Sequence, residues 1–206
     1  MKLALALGII LVAFGTYVSA APISFTQCPP TGNDTTGCEL LITVTSVNGS
    51  GAATAFSVAT SSPDQGAFDG VEDTLIGITN TASASLKSIF LTGGAGSGAF
   101  SFDGDGACIG SYTPSPTAAQ CGGSFTSTDP ADYGSAGASF GAHGPDSGTV
   151  LVGGAAGLAN GASTWFDLEG QITAQQLVGT PEPASIALLG IGLCGLGLLR
   201  RTRKSQ

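Results

Sequence analysis

Short apolar or alternating segments separated by glycine-rich turns dominate the middle of this 206-residue chain, which contains 33 glycines. None of these segments has the 3.6-residue apolar period of an amphipathic helix. Runs of this length, bounded by turn residues, are instead typical of β-strands. The predicted strands are residues 40–47, 53–59, 74–79, 86–91, 99–102, 149–152 and 163–168. Seven short strands predict an all-β domain made of two packed sheets.

The last predicted strand, 163–168, indicates how the sheets are arranged. Phe166 lies on one face, whereas Trp165 and Asp167 lie on the other, as in a half-buried antiparallel strand. We therefore expect one β-sandwich domain over residues 21–179, with an Ig-like arrangement as the first choice and a jelly roll as the second. The Cys…Trp…Cys spacing of antibody domains is absent.

Four cysteines of this region form two close pairs in sequence, Cys28 with Cys38 and Cys108 with Cys121. Outside the cytoplasm such thiols form disulfides. Three connectivities are open, and we expect the local one because each short loop closes at a small entropic cost. The spacings differ from the C-x₂₋₄-C pattern of zinc sites, which are the alternative. The fifth cysteine, Cys194, lies in an apolar C-terminal run.

The region between residues 21 and 180 is strongly acidic. It contains thirteen Asp and Glu residues and one base, Lys87, so its formal charge is −12. Such a surface repels phosphate backbones and cannot release their counterions. We therefore expect no nucleic-acid partner. Solubility through self-repulsion accounts for the charge, and a specific cation-binding role is the alternative.

The C-terminal segment, 180–206, joins three signals in a fixed order. Pro181, Glu182 and Pro183 come first, and the two prolines end any upstream element. Residues 184–199 follow without a charge, and as a transmembrane helix they would span about 24 Å, slightly less than the ~30 Å bilayer core. A basic cluster then predicts that this end stays in the cytoplasm. Its members are Arg200, Arg201, Arg203 and Lys204.

This order of Pro-Glu-Pro, short apolar helix and Arg-rich tail resembles the PEP-CTERM sorting signal of Gram-negative bacteria. The resemblance implies an exported protein with an exosortase as its partner. It also implies a precursor anchored in the inner membrane, whose periplasmic domain later reaches the outer surface or the extracellular matrix. An ordinary C-terminal membrane anchor with an incidental Pro-Glu-Pro is the alternative.

The N-terminus is consistent with export. Lys2 precedes the apolar stretch 3–14, and small residues ending at Ala20 are acceptable to a signal peptidase. We predict a signal peptide over residues 1–20 and a mature chain that begins at Ala21. An uncleaved anchor is the alternative.

A second resemblance lies within the predicted domain, which is similar to the ectodomain common among PEP-CTERM proteins. That resemblance implies a β-rich secreted module but names no substrate. It is carried by residues 69–80, 86–91, 102–106, 148–150 and 163–169.

A candidate cation site is the pair Asp103 and Asp105 in the sequence Asp-Gly-Asp-Gly. Carboxylate oxygens in a flexible turn suit Ca²⁺, although this is only a fragment of a calcium loop. Further ligands are Asp69, Glu72 and Asp73, provided that the fold brings them close. Solvated acids in a plain turn are the alternative, and we expect no other cofactor.

A G-x-S-x-G match around Ser139, with His143 two residues beyond it, invites comparison with serine hydrolases. A nucleophile elbow requires a strand before the serine and a helix after it. The surrounding segment, 124–148, is instead too glycine-rich for any strand to be assigned. His143 is also the only histidine of the chain. We therefore expect a protein that is not an enzyme.

These observations predict an exported, exosortase-processed β-sandwich protein with a structural or adhesive role, associated with exopolysaccharide. A carbohydrate- or calcium-binding secreted module is the competing function, and a serine hydrolase is the third. The binding module is distinguished from the structural or adhesive role by whether Asp103 and Asp105 converge with Asp69 or Asp73. The sequence selects neither a ligand nor an oligomeric state.

Overall fold

The computed structural model describes residues 21–177, which form seven strands, three short 3₁₀ turns and one four-residue helix. The strands are β1 (Leu40–Val47), β2 (Ala53–Thr60), β3 (Thr74–Asn80), β4 (Ser88–Thr92), β5 (Ala138–His143), β6 (Ser147–Val152) and β7 (Ser163–Leu168), and the helix is α1 (Ala174–Leu177). The predicted signal peptide and the predicted transmembrane run 184–199 lie outside this range. Within it, no helix has both the length and the apolar character needed to cross a membrane.

The strands form two sheets, in the orders β2-β1-β3-β7 and β4-β6-β5. The all-β sandwich predicted from the sequence is therefore confirmed. One pair, β1 with β3, is parallel, while the other neighbours are antiparallel. Immunoglobulin sheets are antiparallel throughout, so this pair distinguishes the larger sheet from theirs.

The main core lies between the two sheets because alternate residues of each strand point inward. On β1 these are Leu40, Ile42 and Val44, all fully buried. The other strands contribute in the same way, with Ile76, Ile78, Ile89, Leu91, Val150, Val152, Phe166 and Leu168. This apolar layer holds the sheets face to face.

A second, smaller core covers the outer face of the four-stranded sheet. Leu75 of β3 and Trp165 of β7 point away from the main core and are nevertheless buried. They pack with Phe25, Phe68, Ala107 and the buried cysteines of two irregular segments. The strand predicted over 163–168 is confirmed, but its predicted half-burial is wrong, since β7 is buried on both faces from Trp165 onward.

Two disulfides, Cys28–Cys38 and Cys108–Cys121, tie these covering segments together with the local pairing expected from the spacing. The first packs directly on the middle of β3. A Cβ on Gly77 would lie only 2.6 Å from Cys38 Sγ. Glycine at this position therefore lets the disulfide rest on the sheet.

The structure corrects one further prediction and adds one strand. Residues 99–102 form no strand. Phe100 and Phe102 are instead buried in the main core from an irregular segment, which keeps their apolar character without a sheet. Strand β5 lies in the glycine-rich segment 124–148, where the sequence pattern predicts no strand. It forms because Phe140 pairs with Val150 of β6 and packs against Phe102, with ring centroids 4.7 Å apart.

We predict that Phe166→Ala lowers the free energy of unfolding by about 3–5 kcal/mol, because a fully buried aromatic ring is lost from the main core. The matched control is Phe90→Ala, since Phe90 is 63% exposed, and its effect should stay within about 0.5 kcal/mol. Denaturant titration followed by the fluorescence of Trp165 measures both. Equal effects of the two substitutions would contradict this assignment of the core.

Candidate functional site

Eight acidic residues gather at one end of the pair β3–β7, and we call this group the acidic site. Thr74 pairs with Leu168, so Asp73, which precedes Thr74, and Glu169, which follows Leu168, lie at the same end of the two strands. The loop after Phe102 brings further carboxylates to this end. The members are Asp69, Glu72, Asp73, Asp103, Asp105, Asp132, Asp167 and Glu169.

An inner group of three carboxylates combines two loops that are distant in sequence. Asp69, Asp73 and Asp105 each offer an oxygen, and these oxygens all lie within 4.8 Å of one another. Asp69 is held in place by its own loop, because its Oδ1 accepts three backbone N–H bonds of 3.0 Å, from residues 71, 72 and 73. The inner group is therefore built on an ordered turn.

An outer group of three carboxylates lies on the solvent side of the site. Glu72, Asp103 and Glu169 also offer oxygens within 4.8 Å of one another. Glu72 and Asp103 are exposed, whereas Glu169 is buried and its Oε1 accepts the backbone N–H of Asp103 at 2.9 Å. The predicted pair Asp103 and Asp105 is thus divided between the two groups.

The hydroxyl of Tyr133 lies between the inner and outer groups. It is 2.8 Å from Asp105 Oδ1 and 3.3 Å from Asp103 Oδ1, and it also contacts Glu169 Oε1. Burial and the bonds to Glu169 and Asp105 raise the pKa of this phenol. Tyr133 therefore remains a neutral hydrogen-bond donor among the carboxylates.

Three members of the acidic site are fully buried with oxygens that have no hydrogen-bond partner among residues 21–177. Both oxygens of Asp73 and of Asp132 are in this position, as is Oδ1 of Asp167. Oδ2 of Asp167 accepts the backbone N–H of Ala107 at 2.9 Å. Burial, followed by the neighbouring carboxylates, raises the pKa of Asp73 well above its usual range. Burial likewise raises the pKa of Asp167 and of Asp132.

The chemistry of the acidic site is restricted to oxygen ligands. Among the described residues, Lys87 is the only lysine or arginine, and its side chain packs against Gly51 and Gly157. The cysteines of the same range are in disulfides. His143 stacks on Phe100 at the end of β5. Carboxylate-only sites of this kind suit hard cations such as Ca²⁺.

Sequence reasoning identified five of the acidic residues and missed the rest. Asp167 and Glu169 had one usable signal, because they are acids placed in and just after an otherwise apolar strand. Asp132 and Tyr133 had none, since they lie in a 3₁₀ turn (Ala131–Tyr133) that only the fold brings to the site.

Ser139 and His143 do not meet. Both lie on β5, and four residues of extended strand separate them by about 13 Å. The described residues therefore provide no serine–histidine pair at this motif.

A second acidic group occurs beside the Cys28–Cys38 disulfide. Asp34 is fully buried and neither of its carboxylate oxygens has a partner within the described range. Burial and the nearby Asp64 raise the pKa of Asp34 to about 7. The same two causes, together with Asp34, raise the pKa of Glu39 to about 8. This group is separate from the acidic site.

The comparisons with known proteins concern the C-terminal segment. Residues 180–204 match the PEP-CTERM protein-sorting motif. The match confirms the resemblance and implies an exported, membrane-anchored precursor that an exosortase processes. Pro181, Glu182, Pro183 and the basic cluster from Arg200 onward lie within it and outside the described residues. No curated protein and no solved structure matches the chain.

We predict that stability in metal-free buffer falls as the pH rises from about 4 to about 8, in part because of Asp34 and Glu39. Their pKa values are raised in the folded state to about 7 and about 8. Over this window the folded state therefore binds more protons than the unfolded state. The double variant Asp34→Asn, Glu39→Gln should lose part of this slope in denaturant titrations.

The control for this pH dependence is Asp129→Asn, which changes an exposed carboxylate. It should keep the slope of the unmodified protein. An unchanged slope in the double variant would show that the two buried carboxylates do not titrate as described.

Proposed function

We propose that this protein is a structural or adhesive module that an exosortase delivers to the cell surface or the extracellular matrix. The observation that carries the proposal is the PEP-CTERM sorting motif at residues 180–204, which follows a disulfide-bonded β-sandwich. A domain with two apolar cores and two local disulfides is suited to persist outside the cell. Its delivery would use a signal peptide ending at Ala20 and a membrane helix over 184–199.

The described chemistry supports a module rather than an enzyme. Ser139 and His143 are separated along one strand, and within residues 21–177 the cysteines are in disulfides and Lys87 is the only lysine or arginine. The acidic site favours a second candidate within the same class, a module that binds a ligand through oxygen atoms.

We further propose that exopolysaccharide is the matrix component with which the module associates. The formal charge of −12 between residues 21 and 180 opposes direct contact with an acidic polymer. Neutral polysaccharides, or acidic ones bridged by cations, are therefore the forms to test. Co-sedimentation with purified polymers of each kind measures this association directly.

We predict that the C-terminal tail is removed only where an exosortase is present. Expression of the full chain in a host with the enzyme and in a matched strain without it gives two products for intact-mass analysis. With the enzyme, the mass should show loss of residues after the Pro-Glu-Pro region. Without it, Arg200 to Lys204 should be retained in the membrane fraction.

The matched control variant is Glu182→Gln with Pro181→Ala and Pro183→Ala, which removes the motif and leaves the apolar run intact. It should retain the tail in both hosts. Retention of the tail by the unmodified chain in both hosts would contradict exosortase processing and would indicate a permanent membrane anchor.

A further inference from the structure

We propose that the acidic site binds Ca²⁺ between Asp69, Asp73 and Asp105. One carboxylate oxygen from each residue lies within 4.8 Å of the others. Calcium–oxygen distances are about 2.3–2.6 Å, so two ligands on opposite sides of one ion are at most about 5 Å apart. The inner group therefore has the spacing of oxygens that share one ion.

The burial of Asp73 is the second observation that points to a ligand. Its side chain is fully buried, and neither carboxylate oxygen has a hydrogen-bond partner among the described residues. An ionised carboxylate in this state is strongly unfavourable unless a charge or a hydrogen bond compensates it. Oδ1 of Asp167 is also buried without a partner. A cation bound at Asp73 would supply the compensating positive charge for Asp73 and for its neighbour Asp167.

Hydrogen bonds from neighbouring groups hold two of the three inner carboxylate residues, Asp69 and Asp105, in place. Asp69 Oδ1 is held by three N–H groups of its own turn, which leaves Oδ2 for a ligand. Asp105 is positioned by the Tyr133 hydroxyl at 2.8 Å, and Tyr112 donates a hydrogen bond to the backbone carbonyl of the same residue. Two tyrosines therefore fix the loop that carries the third carboxylate.

The identity of the ion follows from the ligands. Zinc favours histidine and thiolate ligands, and the described cysteines are in disulfides while His143 lies on β5. Magnesium demands near-octahedral geometry and keeps several waters. A buried Asp73 leaves less room for such waters. Calcium accepts six to eight oxygens in irregular geometry, which matches carboxylates drawn from separate loops.

The first test uses the full chain in a non-ionic detergent after removal of metal with EDTA. Calorimetric titration with CaCl₂ should show a site with a Kd of about 0.1–1 mM, the range of extracellular calcium modules. The melting temperature should rise with added CaCl₂, because a ligand that binds only the folded state stabilises it. MgCl₂ at equal concentration should give a smaller rise.

Asp73→Asn is the decisive variant. It should raise the Kd for Ca²⁺ roughly 100-fold, since the number of ligand charges sets calcium affinity. In EDTA the variant should melt at the same or a higher temperature than the unmodified chain, because a neutral amide costs less to bury among carboxylates than a carboxyl group whose two oxygens have no partner. A residue that served only to maintain the fold would lower the melting temperature in both conditions. The matched control, Glu39→Gln, removes a buried carboxylate elsewhere and should keep the calcium response.

Tb³⁺ provides a readout local to the site. Tyr133 and Tyr112 contact Asp105, so tyrosine-sensitised Tb³⁺ emission should appear in the unmodified chain and be lost in Asp73→Asn. The proposal is overturned if CaCl₂ at 10 mM, roughly ten times the upper expected Kd, changes neither heat nor melting temperature. It is equally overturned if Asp73→Asn responds like the unmodified chain. Neither result bears on tail processing, which the mass measurement tests separately.

Discussion

Burial of the outer face of the four-stranded sheet is the constraint on which the other features depend. A sandwich needs only one apolar face per sheet, yet Leu75 and Trp165 are buried on the second face as well. Irregular segments with few apolar residues cover them, and such segments lose much conformational entropy when they become ordered. The two disulfides shorten the loops that must be ordered, and Gly77 leaves room for the first of them.

The same cover creates the acidic site. Cys108 and Ala107 belong to the second apolar core, and their burial brings the preceding loop, with Asp103 and Asp105, beside the end of β7. The backbone N–H of Ala107 donates to Asp167, which fastens the loop to the strand. Carboxylates that would repel one another in an open chain are thereby held together by apolar packing. The resulting electrostatic strain is what a cation would relieve.

The sorting motif and the disulfides of the domain both indicate an environment outside the cytoplasm. Disulfides form outside the cytoplasm, and calcium is available there at the millimolar concentrations that extracellular modules use. The distribution of charge is consistent with this route. Five of the six basic residues lie in the two terminal segments, whereas the domain carries one. The basic residues of the sorting motif and the acidic residues of the domain therefore occupy separate parts of the chain.

The sequence by itself determined the class of fold, most strand positions, the two disulfide pairs and the sorting motif, because each rests on local pattern: alternation, spacing or a contiguous signal. Strands β1 and β7 begin and end where the alternation predicts. Only the tertiary structure decided that β7 is buried on both faces, that Phe100 and Phe102 fill the core without forming a strand, and that β5 forms in a glycine-rich segment. It also decided the acidic site, because Asp73, Asp105 and Asp167 are far apart in sequence and meet only through strand register and loop packing.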